Sequence, residues 1–207
     1  MRRLTVLALA VAPCLATACN EYPVERCAAG EGIVFDDEGA PFLGAERGPV
    51  ELTVFGDFQC PFTRDLMLAL GALLDRLAAE GKSGKVRVTW RHFPLSIHNR
   101  ARAAAIAAAA AARQGNDAFE RLFWHLLKPG AELTDEKIRG YAQLAGLDLQ
   151  RFDADLTDDA TAAVVDRDVA LGRKLDLEGT PGAILCGVPV EGDASDVAGN
   201  VELLADK

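Results

Sequence analysis

The stretch Val54-Phe-Gly-Asp-Phe-Gln-Cys-Pro-Phe-Thr-Arg-Asp65 places one cysteine, Cys60, between a strand-like segment and an amphipathic run. Before it, apolar and polar residues alternate from Val50 onward, which predicts a half-buried strand. After it, Pro61 suits the first turn of a helix, and leucines then recur at helical spacing. The stretch therefore predicts a strand followed by a helix that begins at the cysteine.

A second alternating segment follows this helix. Val86, Val88 and Trp90 predict a strand that stops near Pro94. Residues 50–94 then form a β-α-β unit, whose two strands are expected to be parallel. The next part of the chain is rich in alanine and in helical periodicity. It predicts four helices, at residues 103–112, 117–127, 134–145 and 158–174.

The last part of the chain returns to a period of two. Beyond Gly179 it predicts a hairpin that turns at Cys186 and Gly187, followed by a short helix from about Ser195. The order β-α-β, helices, β-β, α predicts an α/β fold with an inserted helical subdomain at about residues 96–175.

The first 18 residues have the pattern of an export signal. Two arginines precede an apolar core that is too short to span a membrane, and Ala16-Thr-Ala18 fits the small-x-small cleavage pattern. Leu15-Ala-Thr-Ala-Cys19 is also similar to a bacterial lipoprotein box. We expect a protein of the periplasm or cell envelope, with Cys19 either lipidated or the ordinary first residue of the mature chain.

The remaining residues are enough for one domain. Residues 19–47 are polar and contain several glycines, which predicts a tether and irregular lead-in, and residues 48–207 are expected to form the domain. The net charge of −9 argues against nucleic acid and anionic lipid as partners. We expect no nucleic-acid partner, and membrane contact only through a lipid on Cys19.

Four motifs, in order, resemble those of the DsbA-type thioredoxin-fold thiol–disulfide oxidoreductases of bacterial cell envelopes. They are Asp57-Phe-Gln-Cys-Pro-Phe62, Arg91-His-Phe-Pro-Leu95, His98-Asn-Arg-Ala-Arg102 and Gly179-Thr-Pro-Gly182. The resemblance covers about residues 40–200. It implies a thioredoxin-like fold and a redox-active Cys60, with Thr63 at the position where a dithiol site carries its second cysteine.

Cys60, Pro61 and Thr63 are the candidate catalytic residues. Unpaired N–H groups and the dipole at a helix start favour the thiolate, which is the form that attacks a disulfide. The Thr63 hydroxyl, one turn on, is expected to donate to the Cys60 sulfur. Because threonine cannot form a disulfide, attack by Cys60 stops at a mixed disulfide until another thiol releases it. The other interpretation is that Thr63 marks a protein that no longer does redox chemistry.

Thr180, Pro181 and Phe62 are the candidate substrate-binding residues. The resemblance implies that Pro181 is cis, so that the backbone of Thr180 faces Cys60 and can pair with an extended peptide. Phe62 is expected to form part of an apolar rim. Asp57 has two interpretations: it relays a proton to a leaving thiolate, or it caps a turn.

Cys27 and Cys186 are predicted to form a structural disulfide. The strand after Pro181 runs away from the active cysteine, so Cys186 should lie about 15 Å or more from Cys60, at the end where the lead-in begins. In the resembling family the position of Cys186 usually carries Asn or Asp, because the turn needs a positive φ. No cysteine or histidine has the spacing of metal ligands, and His92 is interpreted as structural; we expect no metal and no cofactor.

We therefore expect an exported protein that exchanges thiols and disulfides through Cys60, with cysteine-containing envelope proteins or a small thiol as partners. Two alternatives remain open. One is a non-catalytic, chaperone-like module that binds extended peptides. The other is different thiol chemistry, such as glutathione-linked transfer or reversible oxidation of Cys60 to a sulfenic acid.

Overall fold

The computed structural model describes residues 32–37 and 39–207. The predicted export signal, Cys19 and Cys27 lie outside these residues. The described part confirms the α/β class, because a central five-stranded sheet carries helices on both faces.

The sheet contains the predicted β-α-β strands and the predicted hairpin. Its strand order is β1-β3-β2-β4-β5, in which β2 and β3 are parallel, as expected, and the other neighbours are antiparallel. The edge strand β1 was not predicted, because its residues belong to the segment expected to be irregular. The strands are β1 (Phe42–Gly44), β2 (Val50–Gly56), β3 (Val86–His92), β4 (Gly182–Leu185) and β5 (Val188–Val190).

Seven helices lie within the described ranges. They are α1 (Pro61–Ala79), α2 (Ala101–Ala112), α3 (Asn116–Leu127), α4 (Asp135–Leu144), α5 (Leu149–Asp155), α6 (Asp159–Lys174) and α7 (Ala194–Ala205). The prediction missed only α5, a short helix whose N-cap residue Asp148 accepts the Arg151 N–H. Thr134 caps α4 in the same way, by accepting from the Lys137 N–H.

Strands β2 and β3 are buried on both faces, so the prediction of a half-buried strand was wrong. Leu52 and Val54 point into a core shared with α1 and α7. On the opposite face, Phe55 packs against Phe93 and α6, and even Thr53 is only 4% exposed. Alternation in the sequence reports polarity, whereas burial depends on the helices that later parts of the chain lay over the sheet.

The alanine-rich helix α2 packs closely against its neighbours. Its side chains are so small that α3 and α6 both pack against it, and Ala104, Ala108 and Ala111 are fully buried. In the portion of the chain described, none of the helices is both long and apolar enough to cross a membrane.

Gly56 ends β2 in tight contact with the core. A Cβ at this position would lie 2.2 Å from Cη2 of Trp90 and 2.9 Å from Cγ2 of Thr63. Both of these side chains are fully buried. The close approach of the Trp90 ring therefore requires a residue without a side chain.

We expect Gly56→Ala to lower the free energy of unfolding by about 1–3 kcal/mol, because the Trp90 ring has no free space to move into. Gly140→Ala is the matched control, since that glycine lies in α4 with open space around it. There alanine should raise stability by about 0.5–1 kcal/mol through its higher helix propensity. Urea denaturation measures both, and a neutral or stabilising Gly56→Ala would contradict the packing described.

Candidate active site

Cys60 and the loop before β4 meet at the start of α1. Cys60 is the N-cap residue and Pro61 the first residue of the helix, as predicted. The Cys60 thiol is free, the residue is 4% exposed, and Sγ donates a hydrogen bond to the carbonyl oxygen of Thr180 at 3.2 Å. The Thr180–Pro181 peptide is cis. The structure thus places the backbone of Thr180 against the cysteine, as the resemblance implied.

An open groove of about 510 Å³ begins beside this loop. Thr180, Pro181 and Phe62 all line it, together with residues of β4, β5 and the start of α7. Phe62 is 70% exposed, so its ring is available to a ligand. The structure therefore brings the three candidate substrate-binding residues to one surface, and their role in binding stays a prediction.

Thr63 faces the core and not the thiol. The residue is completely buried, and its Oγ1 accepts a hydrogen bond from the backbone N–H of Asp57 at 3.4 Å. Across the residues the structure describes, no hydrogen bond joins the Thr63 hydroxyl to the Cys60 sulfur, so the bond expected from the sequence is not formed. Thr63 instead supports the turn that leads into the cysteine.

Asp57 is the centre of that turn. Its Oδ1 accepts the Gln59 N–H at 2.7 Å, and its Oδ2 accepts the Leu95 N–H at 2.8 Å and lies 2.8 Å from Nδ1 of His98. The Asp57 side chain is fully buried. All of these contacts are to loops and none is to Cys60 Sγ, which agrees with the interpretation of Asp57 as a residue that caps a turn.

His98 is the site residue that sequence reasoning missed. The sequence places it 41 positions from Asp57, in a motif of its own, and no local pattern links the two. Both residues belong to motifs of the family resemblance, which was the available signal. Their contact fixes the loop after β3 to the turn that carries Cys60.

His92 lies in the core below this turn. Trp90 Nε1 donates to His92 Nδ1 at 3.1 Å, and the His92 backbone N–H donates to Asp168 at 2.9 Å. Burial, opposed by the Asp168 charge and aided by the Arg91 charge, lowers the pKa of His92 from 6.5 to about 4. Within residues 32–37 and 39–207, no group of three histidine, cysteine or acidic side chains is arranged to hold a metal.

Cys186 lies at the opposite end of the sheet from Cys60. Its N–H donates to the carbonyl of Glu51, at the start of β2, whereas Cys60 follows the end of β2. Its φ is +48°, the positive value that the turn was expected to need. Cys186 is disulfide-bonded. Its predicted partner, Cys27, lies outside the described residues, but the nearby Ile33 N–H donates to the Gly187 carbonyl at 2.8 Å.

Comparison with known proteins links the chain to one family. The sequence matches the model of the family described as thioredoxin over residues 36–199. The curated "Na(+)/H(+) antiporter NhaA 1" of Salinispora arenicola (strain CNS-205) is 35% identical over 157 residues, which are 73% of this chain and 23% of the antiporter. The chain thus spans about a quarter of the length of the curated relatives it matches.

Solved structures share the fold along nearly their whole length. A thioredoxin-like oxidoreductase from Silicibacter pomeroyi DSS-3 is 25% identical with a TM-score of 0.68, and the match covers 84% of this chain and 99% of that one. The thiol-disulfide exchange protein alpha-DsbA2 from Wolbachia pipientis is 21% identical with a TM-score of 0.67, covering 87% and 95%. These matches confirm the predicted thioredoxin-like fold.

The buried His92 gives stability a defined pH dependence. The unfolded chain binds a proton on this histidine below its ordinary pKa of 6.5, and the folded chain does so only near 4. The contribution of His92 to the free energy of unfolding is therefore fully present above pH 6.5. It falls by about 3 kcal/mol as the pH drops to about 4. We expect His92→Asn, which keeps an acceptor for Trp90, to lose less stability than the wild type over this range. Urea midpoints at several pH values measure the difference.

The control for this comparison is His125→Asn, which removes a half-buried histidine from α3 without touching the Trp90–His92 contact. A His92→Asn protein that is as acid-sensitive as the wild type would rule out His92 as a source of the pH dependence.

Proposed function

The chain belongs to the thioredoxin family, and on this basis we propose that it carries out thiol–disulfide exchange through the single thiol of Cys60. The observation that carries the proposal is the place of that thiol, at the start of α1 and 3.2 Å from the carbonyl of Thr180. Backbone N–H groups at a helix start favour the thiolate. The adjoining groove gives a substrate chain a place to lie beside the sulfur.

The proposed reaction begins when the Cys60 thiol releases its proton to water. The thiolate attacks one sulfur of a substrate disulfide, so that a bond forms between this sulfur and Cys60 Sγ while the substrate S–S bond breaks. The second substrate sulfur leaves as a thiolate and takes up a proton. The product of this step is a mixed disulfide at Cys60.

Release requires a second thiol from outside the chain, because residue 63 carries a hydroxyl. If the thiol belongs to the substrate, its thiolate attacks the substrate sulfur of the mixed disulfide, Cys60 is regenerated, and the substrate keeps the same number of disulfides in a new pairing. If small thiols attack, one displaces the substrate and a second frees Cys60, so two small thiols are oxidised to a disulfide and the substrate disulfide is reduced. The proposed activity is therefore isomerase-like or reductase-like.

The low exposure of Cys60 favours a second candidate, a non-catalytic module that binds extended peptides. In this candidate the groove and the Thr180 backbone hold a chain, and the thiol contributes only its hydrogen bond to Thr180. The two candidates differ in whether a covalent bond to Cys60 forms during function.

Two substitutions test the proposed exchange. Cys60→Ala should abolish the mixed disulfide that wild-type protein forms with a disulfide-bonded peptide. Thr63→Cys protein that has first been oxidised to an internal disulfide with excess oxidised glutathione should oxidise a dithiol peptide, because the disulfide of the variant is reduced to two thiols as the peptide disulfide forms. Mass spectrometry of acid-quenched mixtures detects the adducts, and absorbance or fluorescence of the peptide follows its oxidation.

Thr63→Ser is the matched control, since it keeps the hydroxyl and adds no thiol. It should form the mixed disulfide and fail to oxidise the dithiol peptide. Wild-type protein that binds the peptide but forms no adduct at Cys60 would favour the peptide-binding candidate over the exchange enzyme.

We also propose that the protein is exported to the cell envelope, that Cys19 carries a lipid there, and that Cys27 is the partner of Cys186. The export pattern of the first 18 residues supports the location. The contact between Ile33 and Gly187 supports the pairing, because it brings the segment just after Cys27 beside the Cys186 turn.

Peptide mapping of protein isolated from the envelope fraction tests these three assignments. Without reduction, the peptides of Cys27 and Cys186 should appear as one cross-linked species that separates on reduction, and the peptide beginning at Cys19 should carry the mass of a lipid. An unmodified peptide beginning at Cys19 would indicate plain secretion, and free thiols at Cys27 and Cys186 would exclude the pairing.

A further inference from the structure

We propose that the groove beside Cys60 selects cysteine-containing peptides that carry a basic side chain near the cysteine, in preference to anionic thiols such as glutathione. This inference rests on the proposed exchange reaction and identifies its substrate class. It follows from the position, apolar lining and charge of the groove.

The position of the groove suits a peptide joined to Cys60. The groove starts at Thr180, whose carbonyl contacts the Cys60 sulfur, so a chain linked through this sulfur must enter it or pass beside it. The Oγ1 atom of Thr180 is buried, and among the residues that the structure describes it has no hydrogen-bond partner.

The walls of the groove are apolar. The loop before β4 contributes Pro181, the sheet contributes Ala183 and Val190, and α7 contributes Val197. The first two turns of α1 supply Leu66 and the exposed ring of Phe62. Such a surface suits the aliphatic stem of lysine or arginine. The face of an aromatic ring also attracts a cationic head group.

The charges of the groove have one sign. Of its lining residues, the ones that ionise are Asp65 and Asp193. Asp65 lies one turn after Phe62, its side chain is 59% exposed, and its contact with Arg64 at 3.5 Å is a surface ion pair that contributes little in water. A cation on the Phe62 ring would therefore lie beside an available carboxylate.

Asp193 adds a second negative charge at the other wall. Its Oδ1 accepts hydrogen bonds from the Ser195 hydroxyl and from the backbone of Ser195 and Asp196, which lower its pKa. All of these bonds are to Oδ1, so in the described part of the chain Oδ2 remains open to a ligand. The Asp196 carboxylate also lies behind the groove, against Gly192.

Charge complementarity therefore favours a cationic occupant. Glutathione has a net negative charge at neutral pH, so the groove repels it, whereas a lysine or arginine beside the reacting cysteine gains from both carboxylates. The effect is largest at low ionic strength, because salt screens charges at this exposure.

The test uses four disulfides that differ in charge and share one leaving group. Three of the reagents are peptides of equal length that carry Lys, Gln or Glu next to a single cysteine, and the fourth is glutathione. In all four, the cysteine sulfur is joined to thionitrobenzoate by a disulfide bond. Attack by Cys60 on the cysteine sulfur releases coloured thionitrobenzoate and leaves the peptide on Cys60. Rates are measured with the full chain, and the rate of the Cys60→Ala variant is subtracted to leave the part that depends on Cys60. Each rate is then divided by the rate of the same reagent with the neutral thiol 2-mercaptoethanol, which removes differences in intrinsic reactivity.

We expect the Lys peptide to react about three- to tenfold faster than the Gln peptide, and the Glu peptide and glutathione to react more slowly than the Gln peptide. In 1 M salt the ratios between these rates should approach one. Asp65→Asn, and Asp193→Asn, in which asparagine still caps α7, should each lower the Lys-to-Gln ratio. Asp75→Asn, on an exposed part of α1 outside the groove, is the control and should keep the ratio.

Two results would overturn the inference. Equal normalised rates for the four reagents, or a preference for the Glu peptide or glutathione, would refute the charge selection and leave the exchange reaction intact. A complete lack of Cys60-dependent release from all reagents would instead refute the exchange reaction itself. Because Asp65 is exposed, the Asp65→Asn protein should fold. It therefore keeps the test informative even if the Asp193→Asn protein does not fold.

Discussion

Both oxygens of the Asp57 carboxylate are buried, and they bind two different loops: Oδ1 accepts from Gln59, and Oδ2 from Leu95, beside His98. A carboxylate can be buried only if such partners replace the water that it loses. The turn that carries Cys60 and the loop that begins the helical insertion therefore hold each other in place. The backbone of Asp57 extends this arrangement, since its carbonyl accepts from Cys60 and its N–H donates to Thr63. Cys60 thus owes its position to a neighbour that does not contact its sulfur.

The same arrangement explains where Thr63 lies. The side chain is buried with its Cγ2 beside Gly56, which the Trp90 ring also approaches, and its hydroxyl accepts a hydrogen bond from the Asp57 backbone. The position that would hold a resolving cysteine in a dithiol site is here part of the core. Residue 63 therefore affects both the number of thiols at the site and the packing of the core beneath it.

Local patterns in the sequence predicted the elements that place the site: the β-α-β unit, the helix beginning at Pro61, and the hairpin whose turn needs a positive φ at Cys186. What they could not predict depends on contacts between distant segments. Strand β1 exists because Leu43 pairs with Val88, and the lead-in is held by the ion pair of Asp37 with Arg91. Likewise, the full burial of β2 and the Asp57–His98 contact require helices and loops that the periodicity of one segment does not report. The family resemblance supplied the opposition of Cys60 and Thr180, which lie 120 residues apart.

The length of β2 separates the free thiol of Cys60 from the disulfide-bonded Cys186. Cys60 follows one end of the strand, and the Cys186 N–H is hydrogen-bonded to the carbonyl of Glu51 at the other. The two sulfurs are therefore roughly 15 Å or more apart. A thiolate must touch a disulfide sulfur to attack it. The sheet therefore acts as a spacer within the molecule, and the Cys60 sulfur cannot reach the cross-link of its own chain. One small domain can in this way contain both a disulfide that persists and, under the proposed exchange reaction, a sulfur that breaks disulfides in other molecules.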